Sequence, residues 1–476
     1  MASIAIVGAG ITGLTAAYRL KQRGSRVVVY EASDRIGGAI KSERRNGYLA
    51  ELGPNSLATP PAGVAALLAE LGLDSRRVTA AAAARTRYIV RRGRLVRLPM
   101  TPAELLTSRL FSNAAKLAIF GEPLLEASDS AVDESVAAFV RRRFNQEVVD
   151  YLANPFVAGT FAGDPEQLSI RHALPRLQAL ERTQGSLVKA FVQMMKGQHR
   201  AHSQGHRGPG SIMSFRDGLQ ELPDALGREL SSEVRLRSPV TQLRQSPRGW
   251  TVGAAFQTPE LYDAVIYAAP SHSLDEIDLD LLGSERLSTL SSIVHPPVAV
   301  LALGFRREQV SHPLDGFGFL TPEVERRRVL GVVFSSTIFP DRAPEGHVML
   351  TAFVGGTRDP DFVQADPQTL TARVLDDLRV LLGAQGEPTF RAVQIWPKAI
   401  PQYVLGYGRF KDIADEVERR NPGLLLAGTY RDGVSLAEAI GSGERAATRV
   451  AELLGVEPVM AGSKPPAGTA SPAGQD

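Results

Sequence analysis

Three glycines and one acid near the start of the chain have types and spacing suited to holding a dinucleotide. Gly8, Gly10 and Gly13 stand at GxGxxG spacing, and Glu31 follows Gly13 by 18 residues. Gly8 permits a tight turn. Gly10 lets the backbone approach a pyrophosphate with no Cβ in the way, and Gly13 lets a helix pack closely on a strand. A helix opening at Ile11 and Thr12 offers free N–H groups and a positive dipole end to phosphates. An acid about 20 residues further on accepts ribose hydroxyls. Glu31, with Ala32 after it, fills that place and disfavours a 2′-phosphate, so NADP is not expected.

The neighbouring sequence supplies the elements that must position these residues. Ile4, Ala5, Ile6 and Val7 form the continuous apolar run of a strand buried on both faces. Leu14, Ala17 and Leu20 recur at helical spacing, leaving Arg19, Lys21 and Gln22 for solvent, and Gly24 marks the C-cap region. Val27, Val28, Val29 and Tyr30 form a second buried strand, completing a βαβ opening. Residues 101–200 read as helical, with Ser130 and Asp133 at capping-box spacing before a stripe of Val136, Phe139, Val140 and Phe144. Strand-like runs return over 234–269, a mixed region spans 296–396, and 423–454 reads strand, turn, helix. The tail from 461 is rich in Pro, Ala, Gly and Ser and reads as disordered. No internal repeat is present.

Composition narrows the function. The 476 residues, 43% apolar and 22% charged, imply a globular protein of two or three domains. There is no cysteine, which excludes disulfides, thiolate metal sites, a redox-active Cys pair and a flavin tethered to sulfur. The first strand begins almost at Met1, so no cleaved signal peptide is expected, and no apolar run is long enough to span a membrane. The pI is 9.1 but the net charge only +3, and nothing resembles a nucleic-acid-binding module. Basic residues cluster at Arg85, Arg87, Arg91, Arg92, Arg94 and Arg97 and again at 141–143, either as solvated faces or as an attraction for an anionic surface or acidic substrate. His199, His202 and His206 fall in a Gly-rich loop without neighbouring carboxylates; they read as an exposed polar loop, and no metal is expected.

Arg35, Gly37 and Gly38 follow Glu31 closely, and this glycine pair resembles the second signature of the FAD-containing amine oxidase superfamily. A glycine pair and an arginine there give another close backbone approach and a charge partner for the pyrophosphate. The resemblance implies non-covalent FAD. It places the turn through Gly53, Pro54, Asn55 and Ser56 beside the flavin, adds Val240, and aims the helix N-terminus after Gly428, Val434 and Ser435 at the flavin edge that gains negative charge on reduction. Trp396 reads either as a residue near the flavin or as a structural one.

Over residues 4–454 the chain also resembles the protoporphyrinogen oxidase family. The stretches that carry this are ELGPNS at 51–56, FVAGTFAGDPEQLSIR at 156–171, GFGFL at 316–320 with 329–333, and IPQYVLG at 400–406. The implied fold is α/β and α+β. A discontinuous Rossmann-type FAD-binding domain comprises 1–85, 211–290 and 405–456. A substrate-binding sheet domain comprises 86–95 and 291–404, and a helical, membrane-associating domain 96–210, before a disordered tail at 457–476. The implied chemistry is six-electron oxidation of protoporphyrinogen IX to protoporphyrin IX in haem synthesis, with O2 as acceptor and H2O2 as product. Arg87 matches the arginine that pairs with a propionate. Phe317, Leu320, Val333 and Phe353 match the apolar residues that sandwich the rings, and the Gly159 backbone matches the segment across from the flavin. No general base is conspicuous, which fits catalysis by positioning. Tyr407 stands where His is common in relatives, so no role of that His carries over. The resemblance also raises a cytoplasmic location with peripheral contact on the inner membrane face, a hand-off to ferrochelatase, and a homodimer. Three other readings stay open: coproporphyrinogen III as substrate, another oxidoreductase of the superfamily, and a non-catalytic flavin-binding partner protein.

Overall fold

The structure is a computed structural model that describes residues 1–128, 132–194 and 212–457. Ser130, the three histidines His199, His202 and His206, and nearly all of the expected disordered tail lie outside the described residues.

The two apolar runs at the start of the chain become the strands Ser3–Val7 and Arg26–Tyr30, which pair in parallel. The sheet they begin has five strands, all parallel. Its order is Val234–Arg235, Arg26–Tyr30, Ser3–Val7, Ala264–Tyr267 and Leu424–Leu426. Strands from the start, middle and end of the chain thus share one sheet, buried on both faces as a parallel sheet requires. The helices Ile11–Gln22 and Leu436–Leu454 cross on one face. A Cβ on Gly443 would overlap the Thr12 carbonyl, so the glycine sets how closely they approach, and Thr12 Oγ1 donates to the Ala439 carbonyl at 2.9 Å.

A separate seven-stranded sheet has the order Phe390–Trp396, Val298–Arg306, His347–Gly355, Val329–Val333, Gly318–Leu320, Tyr88–Arg91 and Arg94–Arg97. Side chains alternate between its faces. Leu301, Phe319, Val332 and Val354 pack on one side with Leu370, Val374 and Leu378 of the helix Pro367–Leu382. Leu320, Val333 and Phe353 belong to the opposite face.

The described part of 101–194 is mostly helical. The apolar stripe at 136–144 forms the helix Val136–Arg143, and its N-cap is Ser135, whose Oγ accepts from Ala138 N at 3.0 Å. Arg143, fully buried, is held by Glu122 and by the carbonyls of Glu126 and Gly185, so the basic run 141–143 is not one solvated face. A π-helical turn, Val149–Ala153, leads into the helix Asn154–Phe161.

Candidate active site

The residues that read as a dinucleotide site come together at one edge of the parallel sheet. Gly8 leaves the first strand at φ +101°, a left-handed conformation that favours glycine, and its N–H donates to the Tyr30 carbonyl at 2.7 Å. A Cβ on Gly13 would overlap the Gly8 carbonyl oxygen. One on Gly10 would meet nothing within 4 Å, so Gly10 borders open space. The helix Ile11–Gln22 begins there without a side-chain cap, leaving its first N–H groups open to an anion. The second glycine loop reaches the same spot: Gly37 N donates to the Ala9 carbonyl at 2.8 Å, and a Cβ on Gly38 would stand 3.2 Å from Gly10 Cα. Glu31 closes the cradle. Its Oε2 accepts from Ala9 N at 2.7 Å, and its Oε1 accepts from Ser33 N at 2.9 Å and Ser33 Oγ at 2.7 Å. Ser238 N donates to the Glu31 carbonyl and Arg237 N to that of Ser33, both at 2.8 Å, which brings the segment before Val240 against Glu31, Ala32 and Ser33.

Arg35 works differently from a free charge partner. Its Nη1 donates to the carbonyls of Ile36 and Ile40 at 3.1 and 2.9 Å, and its Nη2 donates to that of Gly38. It braces the glycine loop.

The second turn is held as tightly. A Cβ on Gly53 would overlap the Ala39 carbonyl oxygen, and Asn55 Nδ2, beyond Pro54, donates back to the Gly53 carbonyl at 3.0 Å. Trp396 Nε1 donates to the Leu52 carbonyl at 2.8 Å, so both readings of Trp396 meet at this turn. At the C-terminal end, Gly428 N donates to Ser442 Oγ at 2.8 Å. Beyond Val434, Ser435 caps the helix Leu436–Leu454 in a full capping box. The Glu438 carboxylate folds back to accept from Ser435 N at 3.0 Å and Ser435 Oγ at 2.7 Å. The sequence leads one to expect a positive helix end here; the capping box adds the Glu438 carboxylate to it, which offsets part of the dipole.

An open glycine cradle, an uncapped helix N-terminus and an acid just past the second strand fit FAD. The residues that would hold it are Gly8, Gly10, Gly13, Glu31, Gly37 and Gly38.

The opposite wall comes from the seven-stranded sheet. Leu320 pairs with Gly331, Gly331 with Phe353, and Phe353 with Val300, in one cross-strand row. Val333 is in the adjacent row, opposite Gly318, on the same face. A Cβ on Gly331 would stand 2.8 Å from Leu320 Cδ2, and one on Gly159 would overlap the same atom. Leu320 therefore occupies a slot between sheet and helix. Phe353 and Trp396 pack with Ala158, while Phe317 and Val333 pack around Ala84, Ile338 and Phe339. The exposed Arg87 has its guanidinium carbon 5.4 Å from the Phe317 ring centroid and no carboxylate partner among the described residues. Arg91, by contrast, is paired with Glu147 at 2.7 Å and lies over Tyr151.

Tyr407 has a structural task. Fully buried, it donates from Oη to the Tyr430 carbonyl at 2.5 Å and packs against Tyr403 and Phe410.

Sequence reading missed a buried ion pair. Glu51 ends the strand Tyr48–Glu51, in which every residue is buried, and Arg342 Nη2 lies 3.9 Å from its Oε1. An acid closing an apolar run was the available sign. Burial raises the Glu51 carboxyl to about 7, against hydrogen bonds from Ser42 and Leu219 N that favour the anion. The pair borders a small cavity lined by Asn55, Ser56, Phe317 and Val333, so it touches both walls of the site.

The family described as flavin containing amine oxidoreductase matches residues 11–451. Protoporphyrinogen oxidase 2, chloroplastic/mitochondrial, of Arabidopsis thaliana is 37% identical over 95% of this chain and 94% of its own. Coproporphyrinogen III oxidase of Bacillus subtilis is 28% identical over 93% of this chain and 96% of its own. Among solved structures, a protein provisionally assigned as a protoporphyrinogen oxidase from Exiguobacterium sp. 255-15 superposes with a TM-score of 0.80 at 24% identity, covering 94% of this chain and 98% of that one.

Proposed function

Because the chain belongs to the flavin-containing amine oxidoreductases and, among them, to the protoporphyrinogen oxidase family, we propose that it oxidises protoporphyrinogen IX to protoporphyrin IX with O2 as acceptor. Bound FAD supplies a two-electron hydride acceptor. The chain's own residues bind and orient the macrocycle. Leu320, Val333 and Phe353 contribute apolar surface to the rings, Arg87 meets a propionate, and the Gly159 helix backs this surface by packing directly on Leu320. The observation that carries the reading is this apolar face, packed at Leu320 against Gly159 and flanked by Arg87, which has no carboxylate partner among the described residues. The domain division drawn from the sequence is part of the same proposal.

Coproporphyrinogen III is the second reading, favoured by the Bacillus subtilis relative. Two further propionates need further cations, and Arg91, one of those on offer, is already paired with Glu147. Aerobic assays with each porphyrinogen separately, following porphyrin fluorescence and H2O2, decide between them. Faster turnover of protoporphyrinogen with about three H2O2 per porphyrin is expected, since six electrons leave in pairs. No turnover of either substrate by FAD-loaded protein would remove both readings.

We extend the proposal to peripheral membrane contact through the helical region. Leu106, Leu117, Leu124 and Val132 are 62%, 73%, 88% and 74% exposed there, large apolar side chains that a membrane surface would cover. Among the described residues no helix is long and apolar enough to cross a membrane. Co-flotation with anionic vesicles tests the contact, and recovery of all the protein away from the vesicles would count against it.

A further inference from the structure

Arg342 is 1% exposed, yet its Nε and Nη1 have no acceptor among the described residues. Its Nη2 donates to Ser214 Oγ at 2.8 Å and to the Phe215 carbonyl at 3.1 Å. Glu51, 5% exposed, has Oε2 on Ser42 Oγ at 2.5 Å and Oε1 on Leu219 N at 2.9 Å. The space beside the pair is about 10 Å³, of the order a single water requires. Its walls are Leu49, Asn55 and Ser56 on one side and Phe317, Val333 and Ser335 on the other. A buried guanidinium with unused donors beside such a space marks a place for an ordered oxygen ligand.

We propose that this cavity holds one water bonded to Arg342, and that Glu51, through that water, accepts the proton the substrate gives up during oxidation. The inference rests on the porphyrinogen reading above. In each round a bridge C–H bond breaks and its electron pair leaves as hydride to the flavin. In two of the three rounds a pyrrole N–H bond also breaks, its electron pair staying on the ring; in the remaining round the proton comes by tautomerisation from the fourth bridge carbon, so that four bridge C–H and two N–H bonds are lost in all. The proton of each round passes to the water, and the water gives one to a Glu51 oxygen. The carboxylate becomes a carboxylic acid and returns the proton to solvent before the next round. Glu51 is thus a positioning residue acting through water. A proton acceptor works best with its pKa near the working pH, which suits a carboxyl raised by burial. The charged groups around it are Arg342 and, beyond Arg342, Arg44, Asp217 and Asp341.

The test has two arms on FAD-loaded protein. In the first, infrared difference spectra of substrate-free enzyme are taken below and above neutrality. The wild type should show a protonated carboxyl that disappears as pH rises, and Glu51→Gln should lack that band. An unchanged band in the variant, or no band in the wild type, overturns the proposal whatever the substrate proves to be. In the second, anaerobic flavin reduction by protoporphyrinogen is followed against pH. The wild type should slow as pH falls through neutrality, and Glu51→Gln should lose that limb and about 100-fold or more in rate. A retained limb and rate overturn it. Wild-type enzyme that never reduces its flavin with a porphyrinogen sinks the functional reading instead, leaving the first arm to judge the carboxyl. Should Glu51→Gln fail to load FAD, Ser42→Ala serves. It removes a hydrogen bond that favours the anion, so the limb should move to higher pH, and an unmoved limb counts against Glu51.

Discussion

Gly159 and Leu320 fit together with no room for one more methyl: a Cβ on the glycine would overlap Cδ2 of the leucine. The glycine is on the helix Asn154–Phe161 and the leucine on the strand Gly318–Leu320, so the contact joins the helical region to the substrate face. In Gly159→Ala the flexible leucine must yield, at an overpacking cost of about 1–3 kcal/mol, because the helix backbone cannot. Leu320 should turn toward the proposed ring position and raise KM several-fold while kcat falls less. In Gly159→Ala/Leu320→Ala that penalty should vanish, since the two sites are coupled. Steady-state kinetics of the three variants decides the point, and additive effects would break the coupling.

Arg87 lies against the Phe317 ring with no carboxylate of the described residues to compensate it. An arginine waiting for a substrate carboxylate contributes to binding equally in the ground and transition states. Arg87→Ala should raise KM about 10- to 100-fold, the worth of a hydrogen bond to a charged group, with kcat nearly unchanged. A large loss in kcat at constant KM would assign Arg87 to the chemistry instead.

Gly10 and Gly13 belong to one motif but have separable roles. Gly10 has φ −68°, which any residue adopts, and open space where its Cβ would go. Gly10→Ala should leave apoprotein stability within about 0.5 kcal/mol, yet raise the FAD Kd about 100-fold or more by blocking the pyrophosphate. Gly13→Ala drives a methyl into the Gly8 carbonyl and should destabilise the apoprotein itself by several kcal/mol, roughly 3 or more. Thermal unfolding without FAD, paired with flavin-quenching titrations, separates the two.

These glycines also show why much of the fold was legible in advance. Periodicity and glycine spacing are local, so Ser3–Val7, Ile11–Gln22 and Arg26–Tyr30 follow from the order of residues along one short stretch. The capping box at Ser435 is local too, yet reading only the helix dipole hid the carboxylate that Glu438 places on it. Arg35 could not be assigned to its loop carbonyls from sequence, because an arginine near glycines fits a phosphate equally well. The Glu51–Arg342 pair was out of reach for a stronger reason. Its partners are separated by nearly 300 positions, and only the packing of two sheets brings them within 3.9 Å.

That pair gives stability a measurable slope with pH. The Glu51 carboxyl is raised from 4.5 to about 7 in the folded protein by burial. Between these values the folded state binds more protons than the unfolded one, so stability falls as pH rises through the window and levels off above it. The full effect is about 3 kcal/mol, from a shift of this size at 1.36 kcal/mol per unit. Glu51→Gln cannot titrate and should lack the slope. The readout is the difference in slope between the two proteins in denaturant titrations, because the absolute stability of the variant also reflects an Arg342 left without its carboxylate.

His295 should oppose that slope. Its Nδ1 meets the Ile293 carbonyl at 2.8 Å, His272 packs edge-on at 5.1 Å, and Lys398 adds positive charge. Burial first, then the charges of His272 and Lys398, lowers the His295 pKa from 6.5 to about 4, while the hydrogen bond to Ile293 resists. Here the unfolded chain binds the extra proton, so stability is full above about 6.5 and is lost as pH falls toward about 4. His295→Gln keeps a donor for the Ile293 carbonyl but cannot titrate, and it should flatten the acid side of the stability profile. In the wild type the His295 and Glu51 effects overlap between pH 4.5 and 6.5 and partly cancel. The double variant Glu51→Gln/His295→Gln should therefore resemble the wild type there more than either single variant does. If His295→Gln leaves the acid side as steep as before, the imidazole is not being held neutral.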